Sequence, residues 1–331
     1  MYQPEAYAAA LAFMLVSMIC WGSWANTMKL TAGYAFQLFY WDYVIGILLG
    51  ALLWGFTLGS NGVGGPAFLA DIHQADQTHI LYALAGGAVF NVANLLLVAA
   101  IDIAGLAVAF PVGIGLALVV GVLLNYLLSP RGNPLLLFGG VILVALAIVF
   151  DAIAYRRRES ERKKISALGI QLSLACGVLM GIFYPLVTKA ISGPQSLGPY
   201  AVALFFALGT ALCAIPFNYF LMRRPLTGAA PVAMNGYFSA KSSWHFWGVL
   251  GGVIWCTGAV SNFVASHAQI VGPAISYAIG QGATMVSAVW GVFIWREFAG
   301  APAASRRLIP LVFVLFIAGL TSVAVAPLFA R

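Results

Sequence analysis

Long apolar runs separated by short polar gaps occupy the chain from end to end. A helix that crosses the hydrocarbon core of a bilayer needs about 20 mostly apolar residues, and ten runs of that length occur. They lie at 6–28, 37–58, 80–100, 106–128, 134–155, 166–189, 200–222, 245–268, 273–295 and 309–328. The pattern predicts an all-α membrane protein with ten transmembrane helices, numbered here as spans one to ten.

Composition supports this class. The 331 residues are 62% hydrophobic and 8% charged, far from the roughly 25% charged residues of ordinary soluble domains. A net charge of +7 does not indicate a nucleic-acid partner, because its basic residues are confined to the gaps between runs instead of covering a folded face. The four cysteines lie inside apolar runs without a CxxC pair. We therefore expect buried thiols, no metal and no cofactor.

One gap holds much of the charge, in the stretch RRRESERKK (156–164). Loops after odd-numbered spans carry thirteen Lys and Arg residues, whereas those after even-numbered spans carry two. Loops rich in Lys and Arg stay cytoplasmic, so this distribution predicts a cytoplasmic linker and both termini outside. We expect the chain in the plasma (inner) membrane. Binding of an anionic lipid or a nucleotide is the alternative, but Glu159 and Glu161 dilute the charge and GxxxxGK is absent.

The linker at 156–165 separates two stretches of five spans, 1–155 and 166–331. Lys29 and Lys189 end spans one and six, and each is followed eleven residues later by a tyrosine. Two further pairs of segments are alike, namely GGAVFN (86–91) with GGVIWC (251–256), and IAGLAVAFPVGIG (103–115) with IVGPAISYAIGQG (270–282). Because each half has an odd number of spans, related halves are inverted relative to each other. The chain thus predicts two inverted five-helix repeats, an arrangement typical of secondary transporters.

Several segments carry a resemblance to a known family. They are WGSWANTMKL (21–30), LFYWDY (38–43), FTLG (56–59) and FNVANLLLVAAIDIAGLAVAFPVGIGLALVVGVLLNY (90–126). Within the drug/metabolite transporter superfamily, the chain resembles the ureide permeases and the neighbouring glucose/ribose porters and rhamnose symporters. The similarity covers the N-terminal half and is looser in the second half.

The resemblance implies import of a small polar neutral solute, namely a purine-derived ureide, a nucleobase or nucleoside, or a sugar. It also implies alternating access, driven by a proton or sodium gradient, by a monomer or a homodimer. An exporter of the same superfamily is the alternative. A channel or an intramembrane enzyme is disfavoured, because the chain has no ring of charge, GxSxG, HExxH or clustered carboxylate pair.

Polar groups inside a membrane are functional candidates, because an unpaired one is costly there. Three groups of residues qualify, and each has an alternative structural explanation: an interfacial aromatic belt for the first, hydrogen bonding between helices for the second and a proline kink for the third. Gly280 and Gly282 would also let a solute approach the backbone beside Gln281. The predicted solute-binding residues are Trp21, Trp24 and Asn26; Asn91, Asn94, Trp255 and Asn262; and Tyr184, Lys189, Tyr277 and Gln281.

Ion coupling needs a titratable group within a span. Asp42 lies one turn inside span two, and we predict that it takes part in coupling, with an interfacial anchor as the alternative. Asp102, Asp151 and Glu297 lie at the predicted cytoplasmic ends, where we expect ordinary solvation. His245 lies at a span edge, and His267 is predicted to be a packed polar residue.

Overall fold

The computed structural model describes residues 1–61, 64–158, 166–226, 228–268 and 270–329, and contains no β-strand among them. Ten helices in this part of the chain are long and apolar enough to cross a membrane, which confirms an all-α, multi-pass membrane protein. They are α1 (Tyr7–Ser23), α2 (Phe36–Phe56), α3 (Gln77–Ala104), α4 (Leu106–Leu128), α5 (Pro134–Arg158), α6 (Ala167–Ala190), α7 (Pro199–Arg223), α8 (Ser242–His267), α9 (Pro273–Ile294) and α10 (Leu308–Val325).

The helices match spans one to ten in order, with bounds that differ by a few residues. Two interruptions were not predicted. α1 breaks after Ser23 and resumes as the short helix Asn26–Lys29, and α9 consists of Pro273–Gly280, Ala283–Val289 and a π-helical turn at Trp290–Ile294. Most of the predicted linker, residues 159–165, lies outside the described residues, while Arg156, Arg157 and Arg158 form the last turn of α5.

Helix packing follows an offset of five helices. α3 packs on α6 and α7, while α8 packs on α1 and α2; likewise α4 packs on α6, while α9 packs on α1. The glycines that begin α4 and α9 also share an unusual conformation, with φ of 82° at Gly105 and 81° at Gly272. Positive φ is a region that residues other than glycine rarely adopt. The inverted relation of the two halves remains a prediction that this packing is consistent with.

Glycines set the distance between helices in both of the crossing pairs α2–α8 and α3–α7. A Cβ atom on Gly46 would lie 2.1 Å from the Val249 carbonyl oxygen, and one on Gly252 would lie 2.0 Å from that of Tyr43. Gly209 and Gly87 occupy the same role between α7 and α3, at 2.1 and 1.9 Å from carbonyl oxygens of the partner helix. Small residues permit such backbone contact between membrane helices.

The two ends of the bundle differ in their chemistry. At one end, Lys29, Tyr155, Arg158 and Glu297 contact one another where α1, α5 and α9 end; we call this end the basic face. At the opposite face, the N-terminal amino group bonds the loop after α2, and Asn133 bonds the end of the chain after α10.

Candidate functional site

A cavity of about 550 Å³ lies inside the bundle and reaches the basic face. Its walls come from α1, α3, α4, α5, α6, α8 and α9, so both five-helix halves contribute. That volume falls in the range of small-molecule sites, which are typically 300–1,000 Å³ and mostly apolar with a few polar groups.

Stacked aromatic rings line the inner end of the cavity. The ring of Trp255 stacks on Phe90 with centroids 4.3 Å apart, and on Trp21 with centroids 6.0 Å apart. The Trp21 indole N–H donates to the Trp255 carbonyl oxygen at 3.2 Å. Phe90 and Trp255 hold the matched positions of GGAVFN and GGVIWC, so the two similar segments meet at this point.

A buried amide side chain lies in the cavity wall beside these rings. Asn94 lines the cavity and is only 5% exposed, and its Nδ2 has no hydrogen-bond partner among the described residues. A buried N–H without a partner typically costs about 1–3 kcal/mol. Gln281 and Thr284 add further polar groups to the same wall. The arrangement suits a flat solute that presents a hydrogen-bond acceptor.

A charged network borders the mouth at the basic face. The Glu297 carboxylate accepts from Lys29 Nζ at 2.5 Å and from the Tyr155 hydroxyl at 2.7 Å, and Arg158 lies 3.5 Å away. Partial burial opposes ionisation of Glu297, but the bonds from Lys29 and Tyr155 outweigh it and lower the pKa of this carboxyl below its usual value.

Local backbone geometry places Glu297 at the mouth. The π-helical turn at Trp290–Ile294 ends α9, and Arg296 follows with φ of 50°, uncommon for a residue other than glycine. Trp290 and Trp295 point back to α1, where their indole N–H groups donate to Ser23 and Asn26.

The structure brings together six of the eleven predicted solute-binding residues. Those that line the cavity are Trp21, Trp24, Asn26, Asn94, Trp255 and Gln281. We expected the glycines beside Gln281 to let a solute approach the backbone, but neighbouring side chains occupy that space. Trp21 and Asn262 fill the space next to Gly280, and Met18 fills the space next to Gly282.

The other five lie outside the cavity. The Tyr184 hydroxyl bonds the Asn262 amide, which donates in turn to Ser17 and to the Ser276 carbonyl oxygen, so α1, α6, α8 and α9 are joined. The Tyr277 hydroxyl bonds carbonyl oxygens of α4 and α6. Asn91 accepts from Tyr40, and its own Nδ2 has no partner among the described residues.

Lys189 is the fifth, and its ammonium lies 5.3 Å from the ring centre of Tyr82. This contact is at the opposite face, far along the bundle from Lys29. His267 lies at that face too, in the wall of a smaller polar pocket of about 310 Å³.

Asp42 lies apart from the cavity, 1% exposed, and its carboxylate is hydrogen-bonded to Tyr34, Tyr237 and His245. Lys29, the basic residue nearest to Asp42 along the chain, is paired with Glu297.

Sequence reasoning missed several cavity residues, among them two of the carboxylates that we expected to be solvated at helix ends. These additional lining residues are Asp151, Tyr155, Trp290, Trp295 and Glu297. A sequence signal exists for three of them, because Trp290, Trp295 and Glu297 follow one another closely at the end of span nine. In the described part of the chain, no group of His, Cys, Asp and Glu is arranged to hold a metal ion.

Comparison with known proteins agrees with this architecture. The family model described as ureide permease matches residues 39–174. The chain resembles the ureide permeases. It is 24% identical to Ureide permease 1 of Arabidopsis thaliana, over all of this chain and 98% of that one. It is also 24% identical to Probable ureide permease A3 of Vigna unguiculata, over 80% of this chain and 90% of that one.

The alignment with Ureide permease 1 runs over 393 positions, more than the 331 residues of this chain, so the plant relative contains additional residues. A solved crystal structure, described only as that of a protein, superposes with a TM-score of 0.59 at 17% identity. It covers 95% of this chain and 96% of its own, and the likeness indicates a shared fold. The resemblance to ureide permeases spans both halves of the bundle.

Proposed function

We propose that this protein is a secondary transporter that imports a small, flat, uncharged solute of the ureide or nucleobase kind across the plasma membrane. Import proceeds by alternating access and is driven by a proton or sodium gradient. The single observation that carries the proposal is the cavity wall that combines stacked rings of Trp21, Phe90 and Trp255 with the unpaired Asn94 amide. The names of the plant relatives support the solute class.

The charges around the cavity favour an uncharged solute. Lys29 is the cation among the described cavity-lining residues, and Glu297 already neutralises it. Asp151 adds a second carboxylate to the wall. An anion entering this cavity would meet two acidic groups and no uncommitted base among its described lining residues, which disfavours binding.

The distribution of basic loops favours a cytoplasmic position for the basic face. The cavity reaches that face, so we assign this conformation to the inward-facing state. We call the stacked rings of Trp21, Phe90 and Trp255 the aromatic layer. On the outer side, this layer and the Tyr184–Asn262 hydrogen bonds lie between the cavity and the polar pocket that contains His267. We assign this layer as the closed outer gate and Asp42 to ion coupling.

Thermal stability of the purified protein tests the solute class, because a ligand that binds only the folded state raises stability. We expect allantoin or uracil to raise Tm in a saturable manner, and glucose or an anionic carboxylate to have no effect. Trp255→Phe reduces the area of the ring available for stacking, so it should weaken binding of the solute. Trp54→Phe changes a tryptophan outside the cavity and should leave solute binding unchanged.

Uptake into proteoliposomes completes the test. Saturable accumulation that collapses when the gradient is dissipated supports a carrier, and flux that never saturates would indicate a channel. A stronger response to glucose than to every ureide and nucleobase would contradict the proposed solute class.

A further inference from the structure

A second polar centre lies between α2, α8 and the segment that joins α7 to α8. The Asp42 carboxylate accepts from the Tyr237 hydroxyl at 2.7 Å and from the Tyr34 hydroxyl at 3.2 Å. His245 Nδ1 lies 2.9 Å from the same carboxylate. The carboxylate of Asp42, a residue that is only 1% exposed, therefore has donors from the loop before α2, from the short helix before α8 and from α8 itself.

The fold around this centre is built for close approach. His245 stands in the first turn of α8, and Tyr237 belongs to the short helix Asn235–Phe238 that precedes α8. One turn after His245, a Cβ atom on Gly248 would lie 2.5 Å from the Asp42 Cβ, so only glycine leaves room for Asp42 there. The carboxylate and the imidazole are thus held together by backbone packing as well as by their hydrogen bond.

The hydrogen bond also determines which ring nitrogen is available. An ionised carboxylate can only accept, so Nδ1 of a neutral His245 carries the hydrogen and Nε2 keeps a free lone pair. Nε2 has no hydrogen-bond partner among the described residues, and the His245 side chain is 29% exposed, whereas that of Asp42 is 2% exposed. The histidine is therefore partly open at the start of α8, whereas the carboxylate is enclosed.

We infer that His245 Nε2 is the atom that binds the coupling proton, and that Asp42 is its positioning partner. A hydronium ion transfers its proton to Nε2, which leaves water and an imidazolium paired with the Asp42 carboxylate; release reverses the transfer. Histidine is the side chain whose charge ordinarily changes between about pH 5 and pH 8, and a fixed carboxylate orients the ring and stabilises the imidazolium. This inference rests on the proposed gradient-driven import.

The centre is connected to the cavity through the α2–α8 pair. Tyr43, next to Asp42, packs against the cavity residues Trp24 and Trp255, with centroids 4.6 and 6.5 Å apart. Gly46 and Gly252 hold α2 and α8 in backbone contact. A charge gained by His245 strengthens the attraction between these two helices, and one of them carries the Trp255 ring.

No other described charge competes for His245 or Asp42. The remaining titratable groups in contact with the pair are the two tyrosines, and Lys241 lies over the ring of Trp244, 5.3 Å from its centre. α2 also packs against α7, and the groups that meet there are neutral. Asn218 donates to the Gln37 carbonyl oxygen, and Trp41 donates to the Met222 sulfur.

Transport in proteoliposomes separates the two roles, with labelled allantoin and uracil as probes and a pH-sensitive dye inside the vesicles. His245→Gln should retain counterflow exchange within about twofold and lose proton entry and accumulation by more than tenfold at every pH. Asp42→Asn leaves the proton-binding ring in place, so accumulation should be lost at neutral pH and partly return in acid. His73→Gln, which changes an exposed histidine outside this centre, should behave as the wild type.

Two results would overturn the inference while leaving import intact: accumulation by His245→Gln at the wild-type level, or accumulation driven by sodium without proton entry. If Asp42→Asn fails at every pH while His245→Gln still moves protons, the carboxylate is the proton-binding group and the inference is wrong. A wild-type protein that exchanges no probe contradicts the proposed function instead.

A measurement without any solute tests the histidine directly. The chain has four histidines, so ¹⁵N-histidine labelling gives few ring signals, and His245→Gln identifies the one of interest. Acidification should add a hydrogen to Nε2, while Nδ1 keeps the hydrogen that it donates to Asp42. An Nε2 signal that does not respond to acid would contradict the assignment.

Discussion

At the scale of single residues, the cavity wall separates two asparagines that stand one helical turn apart in α3. Asn94 lines the cavity, whereas Asn91 is fully buried outside it and accepts a hydrogen bond from Tyr40; neither Nδ2 has a partner among the described residues. The same amide group therefore has two different environments, and their substitution should have different consequences.

Asn94→Ala should weaken solute binding by about 5- to 150-fold, the effect of losing one hydrogen bond worth about 1–3 kcal/mol. Asn91→Ala leaves the Tyr40 hydroxyl without its acceptor, so we expect a lower Tm, together with a loss of affinity no greater than that of Asn94→Ala. Calorimetry with the tightest-binding ureide or nucleobase measures the affinities. Unchanged affinity in Asn94→Ala would remove this residue from the site.

The hydrogen bonds of the Glu297 carboxylate should make the stability of the folded protein depend on pH. The folded pKa of this carboxyl is lowered, so its contribution to stability is present above its unfolded pKa of about 4.5 and disappears as the pH falls through the folded value. Because Lys29 and Glu297 are partly exposed, the contribution should be below about 1 kcal/mol.

Glu297→Gln should therefore have a slightly lower Tm than the wild type at pH 7 and an equal Tm near about pH 3, below the usual carboxyl range. Unfolding curves of both proteins over this pH range check the expectation. A difference that grows towards low pH would show that the sign is wrong.

At the scale of helices, glycine contacts between α2 and α8 determine how closely the two halves pack. Gly46→Ala places a Cβ atom 2.1 Å from the Val249 carbonyl oxygen, so the helices must separate. We expect the free energy of unfolding to fall by about 1–3 kcal/mol, the cost typical of overpacking. Gly139→Ala is the matched control, since its Cβ atom would meet nothing within 4 Å. Equal Tm values for the two variants would contradict the role of this contact.

At the scale of the whole molecule, the basic loops predict the orientation in the membrane. A cysteine at Ser160, in a background with the four native cysteines replaced, should resist an impermeant thiol reagent added to intact cells. A cysteine at Gln74, in the loop after α2, should be labelled, because that loop is predicted to lie outside. The reverse pattern would invert the topology and make the cavity outward-facing.

Ten spans, their order and their approximate bounds followed from the sequence alone, because the bilayer requires an apolar run for every crossing and such runs are visible without any fold. The resemblance to ureide permeases was likewise readable in α1 to α4. The similar segments that contain Phe90 and Trp255 were visible too, although the stacking of these two rings was not predicted. Local composition and pattern are sufficient for features of this kind.

Tertiary structure alone decided which polar residues share a space. Asp151 and Glu297 looked like solvated helix ends, yet both line the cavity, because α5 and a π-helical turn in α9 converge at the basic face. His245 looked like a residue at a span edge, and only the contact between α2 and α8 places it 2.9 Å from Asp42. Hydropathy reports how a residue partitions between water and lipid; which side chains meet depends on helix rotation and crossing, which are set by contacts between residues far apart in the chain.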